Sequence, residues 1–288
     1  MRRTIIVGAA LAALVGAGVA FGAAQFNSYK VTENFCKATP SSPKATTCGA
    51  AAAGSTSSPA PVSVSEHWKA SGNGTNKRAR PITKVVVTQY GVKSNGQDFP
   101  TCTAAQINAA GNAKNWNAVC PKNSLIGGGP VTSTLGASTG VGSSSPCDPY
   151  LFVYNGGKST QTFLFAVTPQ APGSQYKCAT AKTGTSCAAY TGKVSFANNI
   201  GTTTINVPGC ASTAAAGLNG IYASLNTLDV NYPDKVKSNG HYYLESVGCK
   251  SGKRPYSTTF TASDFASAPG GPPGPSQSQT VSGTASCS

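Results

Sequence analysis

Thr83-Lys84-Val85-Val86-Val87-Thr88-Gln89-Tyr90 decides the fold class of this chain. It is dominated by β-branched residues and closed by an aromatic, with no glycine or proline to break a strand. Further downstream, Phe163-Leu164-Phe165-Ala166-Val167 is apolar at every position, so both of its faces are expected in the core. Thr203-Ile205-Val207 and Tyr256-Thr258-Phe260 recur with the period of two that half-buried strands show. Strands of the same character are expected near Tyr150–Tyr154, Thr162–Thr168, Tyr190–Phe196, Ile221–Val230, Tyr242–Val247 and Gln279–Ala285.

Turn chemistry separates them. Asn95-Gly96 and Asn155-Gly156-Gly157-Lys158 are hairpin signals, and Gly271-Pro272-Pro273-Gly274-Pro275 is a longer break. Only residues 103–119 have helical flavour, and Gly111 weakens it. Strand signals begin at residue 62. No repeat of fixed period occurs. The pattern specifies an all-β, disulfide-stapled β-sandwich, immunoglobulin-like or jelly-roll-like, with at most one short helix near 103–119.

The N-terminus reads as an export signal. Arg2 and Arg3 precede an uncharged apolar run from Ile5 to Phe21, and Gly22-Ala23-Ala24 offers a small-residue cleavage site before Gln25. The expected organisation is a signal peptide over 1–24, an Ala/Ser/Pro-rich segment or loop over 25–61, and one sandwich domain over 62–288. No other apolar run is long enough to span a membrane. A secreted, extracellular or envelope-associated protein follows from this reading.

The ten cysteines agree with that compartment. An even count in an exported chain implies disulfides. Short loops close most easily, so the expected pairs are Cys36–Cys48, Cys102–Cys120 and Cys178–Cys187, then Cys249–Cys287, leaving Cys147–Cys210. There is no CxxC, and neither histidine stands near a cysteine pair, so no metal is expected. No cofactor motif is present.

The formal charge is +14, from 22 Lys and Arg against 8 Asp and Glu. Removal of residues 1–24 takes away Arg2 and Arg3 and no acids, leaving +12. The excess comes from scarce acids rather than abundant bases. A basic surface outside a cell suits an anionic partner, such as a wall polymer or an acidic glycan. Nucleic acid is not expected, because aromatics are not interleaved with the basic residues.

The segments Lys84-Val85-Val86-Val87, Phe99-Pro100-Thr101-Cys102, Cys120-Pro121, Leu125-Ile126-Gly127-Gly128-Gly129 and Phe152-Val153-Tyr154-Asn155-Gly156 form an ordered series. Gly201-Thr202-Thr203, Tyr243-Leu244-Glu245-Ser246-Val247-Gly248-Cys249 and Thr284-Ala285-Ser286-Cys287 complete it. The series resembles an uncharacterised family of secreted proteins from high-GC Gram-positive bacteria, over residues 62–288. The resemblance implies an extracytoplasmic all-β domain and no established activity, so it transfers no functional residue. Cys147, Cys178, Cys187 and Cys210 depart from that pattern, as do the Gly/Ser-rich insertions.

Two kinds of site are legible. Tyr242 and Tyr243 are adjacent on a strand and must point to opposite faces, so one can present a ring to a sugar. Lys250, Lys253 and Arg254 follow closely and suit an anionic group. These five are the candidate ligand-binding residues of a binding or structural module. The alternative is an extracellular hydrolase. Gly136-Ala137-Ser138-Thr139-Gly140 matches GxSxG, with Asp229 and His241 later in triad order, but the Ser/Gly/Pro run after it cannot start the helix a nucleophile elbow needs. An acid pair, Asp229 with Glu245, is the other hydrolytic option.

Overall fold

The computed structural model describes residues 25–73, 78–110, 116–137, 145–167, 184–185, 188–208, 221–234, 236–264 and 274–288. The expected signal segment, Ser138, Cys178, Cys187 and Cys210 lie outside them.

In chain order the strands are β1 (Asn27–Cys36), β2 (Ala60–Pro61), β3 (Ser63–Gly72), β4 (Ile82–Tyr90), β5 (Val92–Ser94), β6 (Leu125–Ala137), β7 (Ser145–Pro146), β8 (Tyr150–Gly157) and β9 (Thr160–Val167). They continue as β10 (Gly184–Thr185), β11 (Tyr190–Ala197), β12 (Ile200–Asn206), β13 (Ile221–Tyr232), β14 (Lys237–Ser238), β15 (His241–Tyr242), β16 (Leu244–Ser246), β17 (Lys253–Ser263) and β18 (Ser276–Ser286). The helical segment falls where expected. It is α1 (Ala104–Ala109), started by a capping box in which Thr103 and Gln106 satisfy each other's backbone N–H groups, and then a single turn at Trp116–Val119.

One antiparallel sheet runs β1-β3-β13-β6-β8-β9-β11-β12-β4-β17-β18, with β7 added to β6 and β10 to β9. It curls until its two edge strands, β1 and β18, come back beside one another, so the sheet is a nearly closed barrel. The two layers expected of a sandwich are two walls of this one sheet. Tyr29 of β1 stacks on Phe260 of β17 with ring centroids 4.2 Å apart, and Trp68 of β3 meets the same ring edge-on. A small sheet, β2-β16-β5, contributes Val92 and Leu244 to the core, joined by Val62 just after β2.

The run Phe163–Ala166 is buried on both faces, as its composition requires. Phe163 faces the barrel interior, while Leu164 and Ala166 join Phe152, Tyr154, Cys102 and Ile107 in a second cluster under α1. Cys36–Cys48, Cys102–Cys120 and Cys249–Cys287 are bonded as expected. Cys147 is also disulfide-bonded.

Two expectations are corrected. The domain does not begin at residue 62: β1 pairs with β3 along its whole length, and Ala51 hydrogen-bonds both Phe35 and the terminal Ser288. The segment 25–61 therefore supplies one strand of the barrel, β1, and one of the small sheet, β2. Asn155 is not a turn residue either. β8 continues to Gly157, the turn falls at Lys158–Ser159, and the Asn155 side chain points into the protein. Its Nδ2 donates to the carbonyls of Gly96, Phe99 and Pro100 at 2.9, 3.1 and 3.1 Å. Asn155→Ala leaves these buried acceptors unpaired and is expected to cost about 2–3 kcal/mol. A lowered urea midpoint at unchanged slope is the readout, and an unchanged midpoint would contradict it.

Candidate functional site

The apolar rows that build the barrel interior are interrupted by polar side chains at five positions, four of which, Glu33, Glu66, Gln89 and Thr258, meet one another. The inward rows read Tyr29, Val31, Glu33, Phe35 on β1 and Val64, Glu66, Trp68 on β3. On β4 they read Val85, Val87, Gln89, and on β17 Arg254, Tyr256, Thr258, Phe260. The β1–β3 register sets Glu33 directly opposite Glu66, and both are buried. Two carboxylates facing each other in a low-dielectric interior repel strongly, so the pair holds at least one proton.

The opposite wall satisfies the pair. Gln89 Nε2 donates to Glu33 Oε2 at 2.7 Å and to Glu66 Oε1 at 3.3 Å. Thr258 Oγ1 donates to Glu33 Oε1 at 3.3 Å. Burial, then the Glu66 charge, hold the Glu33 carboxyl well above the usual range, against the opposing pull of these donors. Burial pushes Glu66 up to about 7, with Gln89 and His67 pulling the other way. Tyr232 is also raised, first by burial and then by Glu66, Tyr243 and Glu33. This four-residue cluster escaped the sequence reading, although Glu33 and Glu66 each stand two residues from an apolar neighbour, the signal of an inward acid.

The hydrolase expectation meets a different geometry. His67 Nδ1 lies 2.9 Å from Asp229 Oδ1, across β3 and β13. His241 Nδ1 lies 3.4 Å from Glu245 Oε1 on the small sheet. The triad order needed Asp229 beside His241, and instead each acid is committed to its own histidine. Asp229 and Glu245 sit in different sheets and do not form the acid pair considered above.

The five candidate binding residues divide. Tyr242 is half-buried, with the Lys237 ammonium 5.2 Å from its ring centroid. Lys250 and Lys253 are exposed and close a turn between them. Tyr243 and Arg254 do not belong to a surface, which corrects the expectation for both. Tyr243 is buried edge-on against Phe99, and its hydroxyl accepts from Gln161. Arg254 is fully buried, donating to main-chain carbonyls. Tyr243 lies in the bend between β15 and β16, where the chain turns its ring into the core, and β17 carries Arg254 in the same row as Tyr256 and Phe260.

The exterior is one-sided in charge. None of the eight acids is exposed: Glu33, Glu66 and Glu245 are buried, and the five aspartates are half-buried. Asp229 faces His67, Asp234 holds Thr39, Asp264 binds Arg80 at 2.6 Å, and Asp148 accepts from the Ser133 N–H. Every described lysine except Lys93 is exposed, and no described lysine forms an ion pair. Lys30 and Lys69 even stand directly opposite each other across β1 and β3, an arrangement that repels unless an anion lies over it.

No protein-family model matches this chain, and neither a curated protein nor a solved structure is detectably similar to it.

Proposed function

We infer that the protein is exported and acts at the cell surface as a binding or structural module, attaching to an anionic wall polymer or acidic glycan through its lysine-bearing exterior. The observation that carries this reading is the charge asymmetry: all acids are drawn inward or paired, while every described lysine but Lys93 is exposed and none of the described ones forms an ion pair. Lysine is a flexible, hydrated point charge rather than a planar fork, which suits a polymer met by charge density more than by shape. The disulfides accord with an oxidising compartment. Among the described residues no helix is long and apolar enough to cross a membrane. Within the candidate binding set, Tyr242, Lys250 and Lys253 remain accessible to such a partner.

Co-sedimentation of the oxidised protein with purified wall material tests the reading. Retention is expected to fall roughly tenfold between about 0.05 and 0.5 M salt, because exposed charges are screened over a few ångströms at the higher value. Lys30→Gln with Lys69→Gln is expected to weaken retention at low salt. Absence of retention at low salt would overturn the proposal. Retention insensitive to salt would also overturn the electrostatic reading and turn attention to ring stacking at Tyr242.

A further inference from the structure

The buried cluster contains the components of a condensation reaction. Thr258 supplies a hydroxyl, Gln89 a carboxamide, and Glu33 a carboxyl that touches both. One Glu33 oxygen accepts from Thr258 Oγ1 and the other from Gln89 Nε2, at 3.3 and 2.7 Å. The β4–β17 register pairs Val87 with Thr258 and Gln89 with Tyr256. Gln89 and Thr258 are thus diagonal neighbours on adjacent strands, both in the inward rows, within reach of each other's side chains. Glu33, Glu66 and Thr258 are buried.

We propose that the folded protein joins Thr258 to Gln89 through a side-chain ester, with Glu33 as the proton shuttle. Thr258 Oγ1 attacks Gln89 Cδ, forming the O–C bond as its proton passes to Glu33 Oε1. The Cδ–Nε2 bond then breaks, and Nε2 leaves as ammonia carrying the proton delivered from Glu33 Oε2. Glu33 ends in the protonation state in which it began, nothing is oxidised or reduced, and the only product released is ammonia. One carboxyl group bridging nucleophile and leaving group serves as base to the first and acid to the second. A neutral, protonated Glu33 is what acid assistance to the leaving nitrogen needs, and burial beside Glu66 favours that form. Glu66, 3.3 Å from Nε2, is the second group able to hold the departing nitrogen. The bond would tie β4 to β17, one strand in from the barrel's β18 edge.

The test is a peptide map by mass spectrometry of the oxidised full-length protein, then reduced, alkylated and digested. The expected species is the peptide carrying Gln89 joined to the peptide carrying Thr258, lighter than their sum by one ammonia, about 17 Da. The joined species is the readout rather than the intact mass, because an N-terminal Gln25 would cyclise with the same loss. Mild hydroxylamine is expected to separate the two peptides. Thr258→Val is expected to abolish the joined species, and Glu33→Gln to reduce it at least tenfold in freshly folded protein. Full recovery of an unmodified Gln89 peptide from the wild type would overturn the proposal. So would a joined species lighter by water, which would place the bond between Thr258 and a glutamate.

Discussion

Replacement of Arg254 by alanine is expected to lower the unfolding free energy by about 3–5 kcal/mol, the largest single-residue effect outside the disulfides. The guanidinium is buried without a carboxylate in contact, and burial pushes its pKa down to about 10. Carbonyl dipoles hold it instead. Nη1 donates to Tyr90, Gly91 and Gly248 at 3.1, 3.0 and 3.0 Å, and Nη2 donates to Ser246 Oγ at 2.6 Å. The same group lies 5.2 Å from the Phe35 ring centroid and beside the sulfurs of Cys249 and Cys287. One side chain therefore ties β1, the β4–β5 corner, β16 and the C-terminal disulfide together. The corner is shaped to receive it: Gly91 has φ +68°, and a Cβ there would lie 1.9 Å from the Gly248 carbonyl oxygen. Arg254→Lys keeps the charge but cannot fill this fork of acceptors, so it is expected to recover less than half of the loss. Urea titrations of the three proteins at one pH decide it. An alanine variant within about 1 kcal/mol of wild type would mean that the carbonyls find other partners.

Strand-forming stretches whose signal lies in their own residues were legible: β4, β9, β12 and β17, as were the short-loop disulfides Cys36–Cys48 and Cys102–Cys120 and the tie Cys249–Cys287. Two long strands were not. β1 carries Lys30, Thr32, Glu33 and Asn34, and its inward row is broken by an acid, so local pattern alone leaves it undecided. β6 contains Gly127-Gly128-Gly129-Pro130, which reads as a break. It is a strand because β13 passes so close that a Cβ on Gly129 would lie 1.6 Å from the Asp229 carbonyl oxygen, a demand that only the folded sheet makes. For the site, alternation was expected to turn Tyr242 and Tyr243 opposite ways, but β15 ends at Tyr242 and Tyr243 lies in a bend before β16, so a strand rule could not say which faces the core. Glu33 and Glu66 went unread as inward acids, because a lone acid in a short alternating run is as easily an outward residue. That they face each other depends on β1 pairing with β3 in one register, across a loop that spacing does not define.

Stability is expected to fall as pH rises from about 5 to 8, and Glu66→Gln is expected to flatten that dependence. The sign follows from which state holds the proton more tightly. Burial pushes Glu66 from the ordinary glutamate value of about 4.5 in the unfolded chain up to about 7 in the barrel, so the folded state binds more protons throughout that interval. Its contribution is fully present below about 4.5 and is lost as pH climbs through 7. The interval corresponds to on the order of 3 kcal/mol, or roughly 6–12 °C in Tm for a domain of this size. Glu33, raised by burial and by Glu66, adds to the loss in the same direction. The groups facing the pair do not reverse it. Tyr232 and Tyr256 are raised by burial and remain neutral across this range, while Gln89 and Thr258 do not titrate. His67 lies on the other face of β3, held to Asp229. Thermal melts of wild type and Glu66→Gln at pH 5 and pH 8, at fixed ionic strength, separate this pair from the lysine-rich exterior. A wild type equally stable at both pH values, or a Glu66→Gln variant with an undiminished slope, would show that the two carboxyls are not the source.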